Sequence, residues 1–186
     1  IEGDPKLLSI LSKFERMISL KKFNIVLDFI EVVRNEQLGN FYVKDKCFNL
    51  KHFKIELYNL YRLPDLSYFN LLKGIPTLTD LQSLDLTFNP EDKDIKVLWK
   101  AIRLLKHLEF LRLKFLASKT LTDKSFKAAK QVLNESKLET LKVSLDKIDQ
   151  LTNQTIHYIL KGISNSKTLR TLKLAISSCA KISSEI

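Results

Sequence analysis

Apolar positions along the chain fall into short clusters at even spacing. The clearest is LQSLDLTFN at residues 81–89, with leucine at 81, 84 and 86 and asparagine at 89. The spacing returns as LEFLRLKF (108–115), LETLKVSL (138–145) and LRTLKLAI (169–176), and upstream as LKHFKIEL (50–57) and LKKFNIVL (20–27). The first apolar positions are 20, 50, 81, 108, 138 and 169, giving gaps of 30, 31, 27, 30 and 31 residues. Self-similarity at a fixed period of this size predicts one supersecondary unit stacked on copies of itself. Inside each cluster apolar and polar residues alternate, which is the period of a strand.

Between the clusters the period becomes helical. In DIKVLWKAIRLL (94–105), Ile95, Leu98, Trp99, Ile102 and Leu105 follow the i, i+3, i+4, i+7 spacing of an amphipathic helix. Asn89 is read as its N-cap, Pro90 as its first turn, and Glu91 and Asp92 as acidic residues at the positive dipole end. Thr122-Asp123 and Thr152-Asn153 start two later helices, and Asp4-Pro5 starts one running to about Ser19. The first of the later helices is anchored by Phe126, Val132 and Leu133, the second by Ile156, Ile159, Leu160 and Ile163. Each unit is a strand, a turn, a helix and a loop back. The segments KGI (73–75), KAI (100–102), KQV (130–132) and KGI (161–163) share one phase of that unit. Gly74 and Gly162 therefore mark a point where a helix packs closely on its neighbour.

The LxxLxL core with its trailing Asn89, repeated about every 30 residues with a full helix between, resembles leucine-rich repeats of the ribonuclease-inhibitor type. The resemblance spans about residues 20–176. It departs from the family pattern at Phe23 and Phe53, which replace the second leucine. It departs again at Asp28, Tyr58, Leu116, Asp146 and Ser177, which stand where asparagine is usual, and the helix-opening glycine is missing. It implies an α/β leucine-rich-repeat solenoid, with a curved parallel sheet on the concave side and helices on the convex side. Residues 1–19 are then an N-terminal capping helix, 20–176 about six repeats, and 177–186 the start of a further repeat or a C-terminal cap. The N-terminus reads as processed or as a fragment boundary, and chain or disorder is expected beyond Ile186. Stacking buries the leucine ladder as a continuous core. Leu84, Leu86, Leu111, Leu113, Leu141, Val143, Leu172 and Leu174 are its expected members.

Composition adds class and charge. The 186 residues are 45% hydrophobic with a mean hydropathy of -0.08, and no apolar run approaches the length of a membrane span. The opening IEGDPKLL is no secretory signal. Cys47 and Cys179 lie 132 positions apart without CxxC partners, so reduced thiols and an intracellular, reducing compartment, the cytoplasm first, are expected. Lys and Arg number 31 against 21 Asp and Glu, a net charge of +10 that favours acidic partners.

No arrangement for catalysis is legible. His52, His107 and His157 are dispersed, and neither zinc-ligand spacing nor a phosphate-binding glycine loop or nucleophile elbow occurs. Asp92/Asp94 and Asp146/Asp149 fall at helix starts or turns and are read as capping groups. Trp99 is read as core. The expectation is a non-enzymatic protein with no catalytic residue, metal, cofactor or small-molecule substrate.

The informative surface is the sheet face that alternation turns away from the leucines. Its central column reads Asn24, Lys54, Asp85, Arg112, Lys142 and Lys173. The preceding column reads Lys22, His52, Ser83, Phe110, Thr140 and Thr171, and the following one Val26, Glu56, Thr87, Lys114, Ser144 and Ala175. Lys54, Phe110, Arg112, Lys114, Lys142 and Lys173 are the candidate partner-binding residues. The leading expectation is an interaction scaffold or complex subunit that takes an acidic protein surface on this face. The alternative is an RNA or ribonucleoprotein scaffold, against which Phe110 is the one aromatic in three columns. More distantly, the family resemblance implies a GTPase regulator.

Overall fold

The computed structural model describes residues 20–28, 49–58 and 72–183. The expected N-terminal helix and Cys47 lie outside them.

Alternation within each cluster produces a strand, and the period of the clusters places the strands side by side. They are β1 (Lys22–Asp28), β2 (His52–Tyr58), β3 (Ser83–Phe88), β4 (Phe110–Leu116), β5 (Thr140–Asp146) and β6 (Thr171–Ser177). All six form one sheet in sequence order, and every pairing is parallel. A 3-10 turn, Ile75–Thr77, precedes β3. Helices α1 (Asp92–Leu104), α2 (Asp123–Glu135) and α3 (Asn153–Ile163) follow β3, β4 and β5. The chain is thus α/β, a six-stranded parallel sheet alternating with helices.

Along β2, β4 and β5 half-buried and buried residues alternate strictly, the buried ones pointing inward, whereas β3 is buried on both faces from Leu84 to Phe88. Leu84, Leu86, Leu111, Leu113, Leu141 and Val143 belong to one core with Leu98, Trp99, Phe126 and Ile159 of the helices. Aromatic edges knit the two layers, with Phe115 of β4 meeting Phe126 of α2 at 5.9 Å and Trp99 of α1 meeting Phe126 at 6.3 Å. Leu172 and Leu174 depart from expectation: Leu172 is 40% exposed and Leu174 only partly buried. The reason is position. An inner strand has neighbours on both sides, whereas β6 has β5 on one side and no described strand on the other.

The helix starts also sharpen. Asn89 is not the cap of α1; Glu91 is, in a capping box in which Asp94 accepts from the Glu91 N–H at 2.9 Å. Thr122 and Thr152 stand at the N-cap positions of α2 and α3 as expected, and the Thr152 hydroxyl accepts from the Gln154 N–H. The first residue of each helix then reaches into the next unit. The Asp92 carboxylate accepts from the Thr122 N–H and hydroxyl at 2.8 and 2.7 Å. Asp123 does the same for Thr152, and Asn153 exchanges two hydrogen bonds with Ser183. The residue after β4, β5 and β6 is left-handed each time, at Ala117, Lys147 and Ser178. Glycine suits such a position best, and none stands at these three. Gly162 is required by proximity: a Cβ there would lie 3.0 Å from Lys130 Cα and Leu133 Cβ of α2.

Candidate functional site: the outward face of the sheet

The pairing register places the three outward columns side by side as read from the sequence. Asn24, Lys54, Asp85, Arg112, Lys142 and Lys173 lie in one row across all six strands. Phe110, Thr140 and Thr171 run beside it on one side, and Lys114, Ser144 and Ala175 on the other. All six candidate residues therefore share one face.

They do not share one environment. Toward β2 the cations meet carboxylates. Lys54 Nζ lies 2.9 Å from Glu56, two residues along its own strand. Arg112 contacts Asp85 of the neighbouring strand at 3.4 Å. The Tyr58 hydroxyl donates to Glu56 at 3.3 Å, and the Lys114 ammonium lies 5.6 Å from the centre of the Tyr58 ring. The hydrogen bond to Glu56 holds the Lys54 ammonium above the usual lysine range. Burial raises Glu56, but its bonds to Lys54 and Tyr58 and the Lys54 charge outweigh this and set it below the usual carboxylate range. Burial pushes the Tyr58 phenol up, with the Glu56 charge acting in the same direction.

Asp85 is the most enclosed carboxylate of the face, at 8% exposure. Burial pushes its carboxyl above the usual aspartate range, opposed by the Arg112 and Lys54 charges. Its Oδ1 is buried without a hydrogen-bond partner among the described residues. In this half of the face both Lys54 and Arg112 have a carboxylate partner.

Toward β6 the pattern reverses. Lys142 and Lys173 are direct register partners, and among the described residues neither has a carboxylate within ion-pair distance. The Lys142 ammonium rests 5.3 Å from the centre of the Phe110 ring. Phe110, the aromatic among the candidate residues, is thus covered by its neighbour's cation. A depression of about 310 Å³ opens among Arg112, Lys114, Lys142, Ser144, Lys173 and Ala175.

Sequence reasoning missed Tyr58 as a member of this face, having read it as a substitute for the trailing asparagine. Alternation beyond Glu56 is the signal that places it outward. Among the described residues no group of three His, Cys, Asp or Glu side chains is placed to hold a metal, and no helix is long and apolar enough to cross a membrane. Trp99 is fully buried against Phe126, and Asp94 serves as a capping group, as read. No family model and no curated protein matches the chain.

Proposed function

We propose that the protein is a non-enzymatic interaction module, a divergent leucine-rich-repeat solenoid that works as a scaffold or subunit of a larger assembly. It binds an acidic segment of a protein partner on the outward face of its sheet. Lys142 and Lys173 are the centre of that site, with Arg112, Lys114 and Phe110 around them and Lys54 at its far edge.

One observation carries this reading. The row of cations is neutralised at its β2 end by Glu56 and Asp85, while at its β6 end Lys142 and Lys173 have no carboxylate within ion-pair distance among the described residues. Adjacent strands lie about 4.8 Å apart, so like charges in neighbouring register repel unless an anion joins them. A partner's carboxylates supply that anion, speeding encounter and selecting the partner by sign.

RNA is the weaker occupant. Among the described residues the Phe and Tyr rings of the face, Phe110 and Tyr58, each lie under a lysine ammonium, so neither offers a bare surface on which a base stacks. The GTPase-regulator reading rests on the family resemblance alone.

The test compares wild type with the double variant Lys142→Glu, Lys173→Glu, using fluorescence anisotropy of a labelled glutamate-rich peptide and of single-stranded RNA. Both side chains point away from the core, so the variant keeps the wild-type unfolding temperature. Wild type binds the peptide with an affinity that falls as salt rises, and the variant loses it. Equal binding by both proteins overturns the reading, and preferential binding of RNA replaces it with the nucleic-acid alternative.

A further inference from the structure

The depression over β4, β5 and β6 has a particular relief. Ser144 and Ala175 are register partners and form a short-chain floor. One step along each strand on the same face, Lys142 and Lys173 rise beside that floor, and Lys114 flanks Ser144 from β4. The Lys142 and Lys114 ammoniums are drawn toward the rings of Phe110 and Tyr58, on strands nearer the β1 end of the sheet. Their stems wall the depression without filling it. At the other end of the floor stand Asp146 and Ser177, the next outward register pair.

We propose that this depression seats a phosphorylated side chain of the partner protein. The proposal rests on the reading of the outward face as a protein-binding surface, and it specifies the group that the face recognises.

Charge is the first argument. Arg112, Lys114, Lys142 and Lys173 bring four positive charges. Asp85 offsets one through its contact with Arg112. The positive charge that remains is matched more closely by a phosphomonoester, which carries about −1.5 to −2 at pH 7, than by the single charge of a carboxylate.

Geometry is the second. Lys142 and Lys173 stand on strands about 4.8 Å apart, and once the Lys142 ammonium swings from the Phe110 ring over the floor, one tetrahedral group with three acceptor oxygens bridges the two cations. The Ser144 hydroxyl, on the floor, supplies a further donor. Asp146 repels the anion from the opposite end and so fixes it on the lysine side. A planar carboxylate has two oxygens and satisfies fewer of these donors at once.

The openness of the depression decides the source. A free small molecule is held when most of its surface is enclosed by largely apolar walls, and here the rim is cationic and the floor short. The phosphate must arrive on a chain that makes its other contacts along the face. A protein segment does so.

The experiment measures binding of three peptides of one acidic sequence, carrying phosphoserine, glutamate or serine at a single position, with inorganic phosphate as competitor. The proteins are wild type, Ala175→Leu, which fills the floor without changing charge, and Lys173→Gln. Wild type is expected to bind the phosphoserine peptide about tenfold more tightly than the glutamate peptide, as one or two added charge-assisted hydrogen bonds allow. Inorganic phosphate should compete only weakly. Ala175→Leu should bring the phosphoserine and glutamate peptides to equal affinity while its unfolding temperature stays at the wild-type value. Lys173→Gln reads the same loss of preference by a second route should the leucine disturb β6. Equal affinities in wild type overturn the phosphate seat and leave the acidic-partner reading standing. A phosphoserine preference that survives both variants also overturns it, because the preference then belongs to overall charge. Failure of wild type to bind any of the three peptides overturns both readings.

Discussion

Asp123, the first residue of α2, accepts hydrogen bonds from both the backbone N–H and the hydroxyl of Thr152, at 3.0 and 2.8 Å. Thr152 is itself the cap of the next helix, and its hydroxyl oxygen accepts from Gln154 at 3.2 Å. One carboxylate therefore joins two successive units at their helix starts, where the helix dipole also favours negative charge. Thr155 donates to the same carboxylate. Asp92 and Thr122 repeat the arrangement one unit earlier, and Asn153 and Ser183 repeat it with an amide one unit later.

Removing that link should be felt across the unit boundary. Asp123→Ala is expected to cost about 1–3 kcal/mol, since it leaves buried donors without their charged acceptor. Chemical denaturation measures the loss. A change near zero would mean that water replaces the carboxylate without penalty.

Core position should matter more than residue type. Leu111 is fully buried and Leu172 is 40% exposed, although each is the second residue of its strand. Leu111→Ala is expected to cost about 2–5 kcal/mol through lost burial and a residual cavity. Leu172→Ala, in the last described strand, should cost a small fraction of that. Equal losses from the two substitutions would contradict the exposed position of β6.

Gly162 holds α3 against α2. A methyl group there would meet Lys130 Cα at 3.0 Å and the Ala129 carbonyl oxygen at 3.1 Å, both backbone atoms that cannot swing aside. Gly162→Ala should therefore destabilise, because overpacking of about 1–3 kcal/mol exceeds the roughly 1 kcal/mol that alanine gains over glycine in a helix. Thermal unfolding at fixed pH reads the sign, and a stabilised variant would show that the helices separate at little cost.

Asp85 predicts a pH dependence of definite sign. Its folded-state carboxyl titrates above the usual aspartate range, chiefly through burial. The folded protein then holds this proton more tightly than the unfolded chain. Its contribution to stability is fully present below the ordinary aspartate value and is lost as pH rises through the higher folded value. Asp85→Asn should remove that slope, so the stability difference between variant and wild type should shift toward the variant as pH rises through the same window. A difference that does not change across the window would show that Asp85 titrates as an ordinary exposed aspartate.

The sequence by itself determined the strand phase and the columns. A two-residue alternation inside a repeat of about 30 residues leaves little freedom: once Leu84, Leu111 and Leu141 point inward together, Asp85, Arg112 and Lys142 must point outward in one row. The helix starts at Thr122 and Thr152 were legible for a similar local reason, because capping involves atoms within one turn. What the tertiary structure decided was the state of each outward charge. Whether Arg112 turns to Asp85, Lys114 to Tyr58 or Lys142 to Phe110 depends on how long side chains divide the space above neighbouring strands, and no period records that division. It also decided that Leu172 is exposed while Leu111 is not, because burial belongs to a place in the sheet and identical motifs occupy different places. The short floor at Ser144 and Ala175 became a depression for the same reason: its walls are lysine side chains drawn toward rings on other strands.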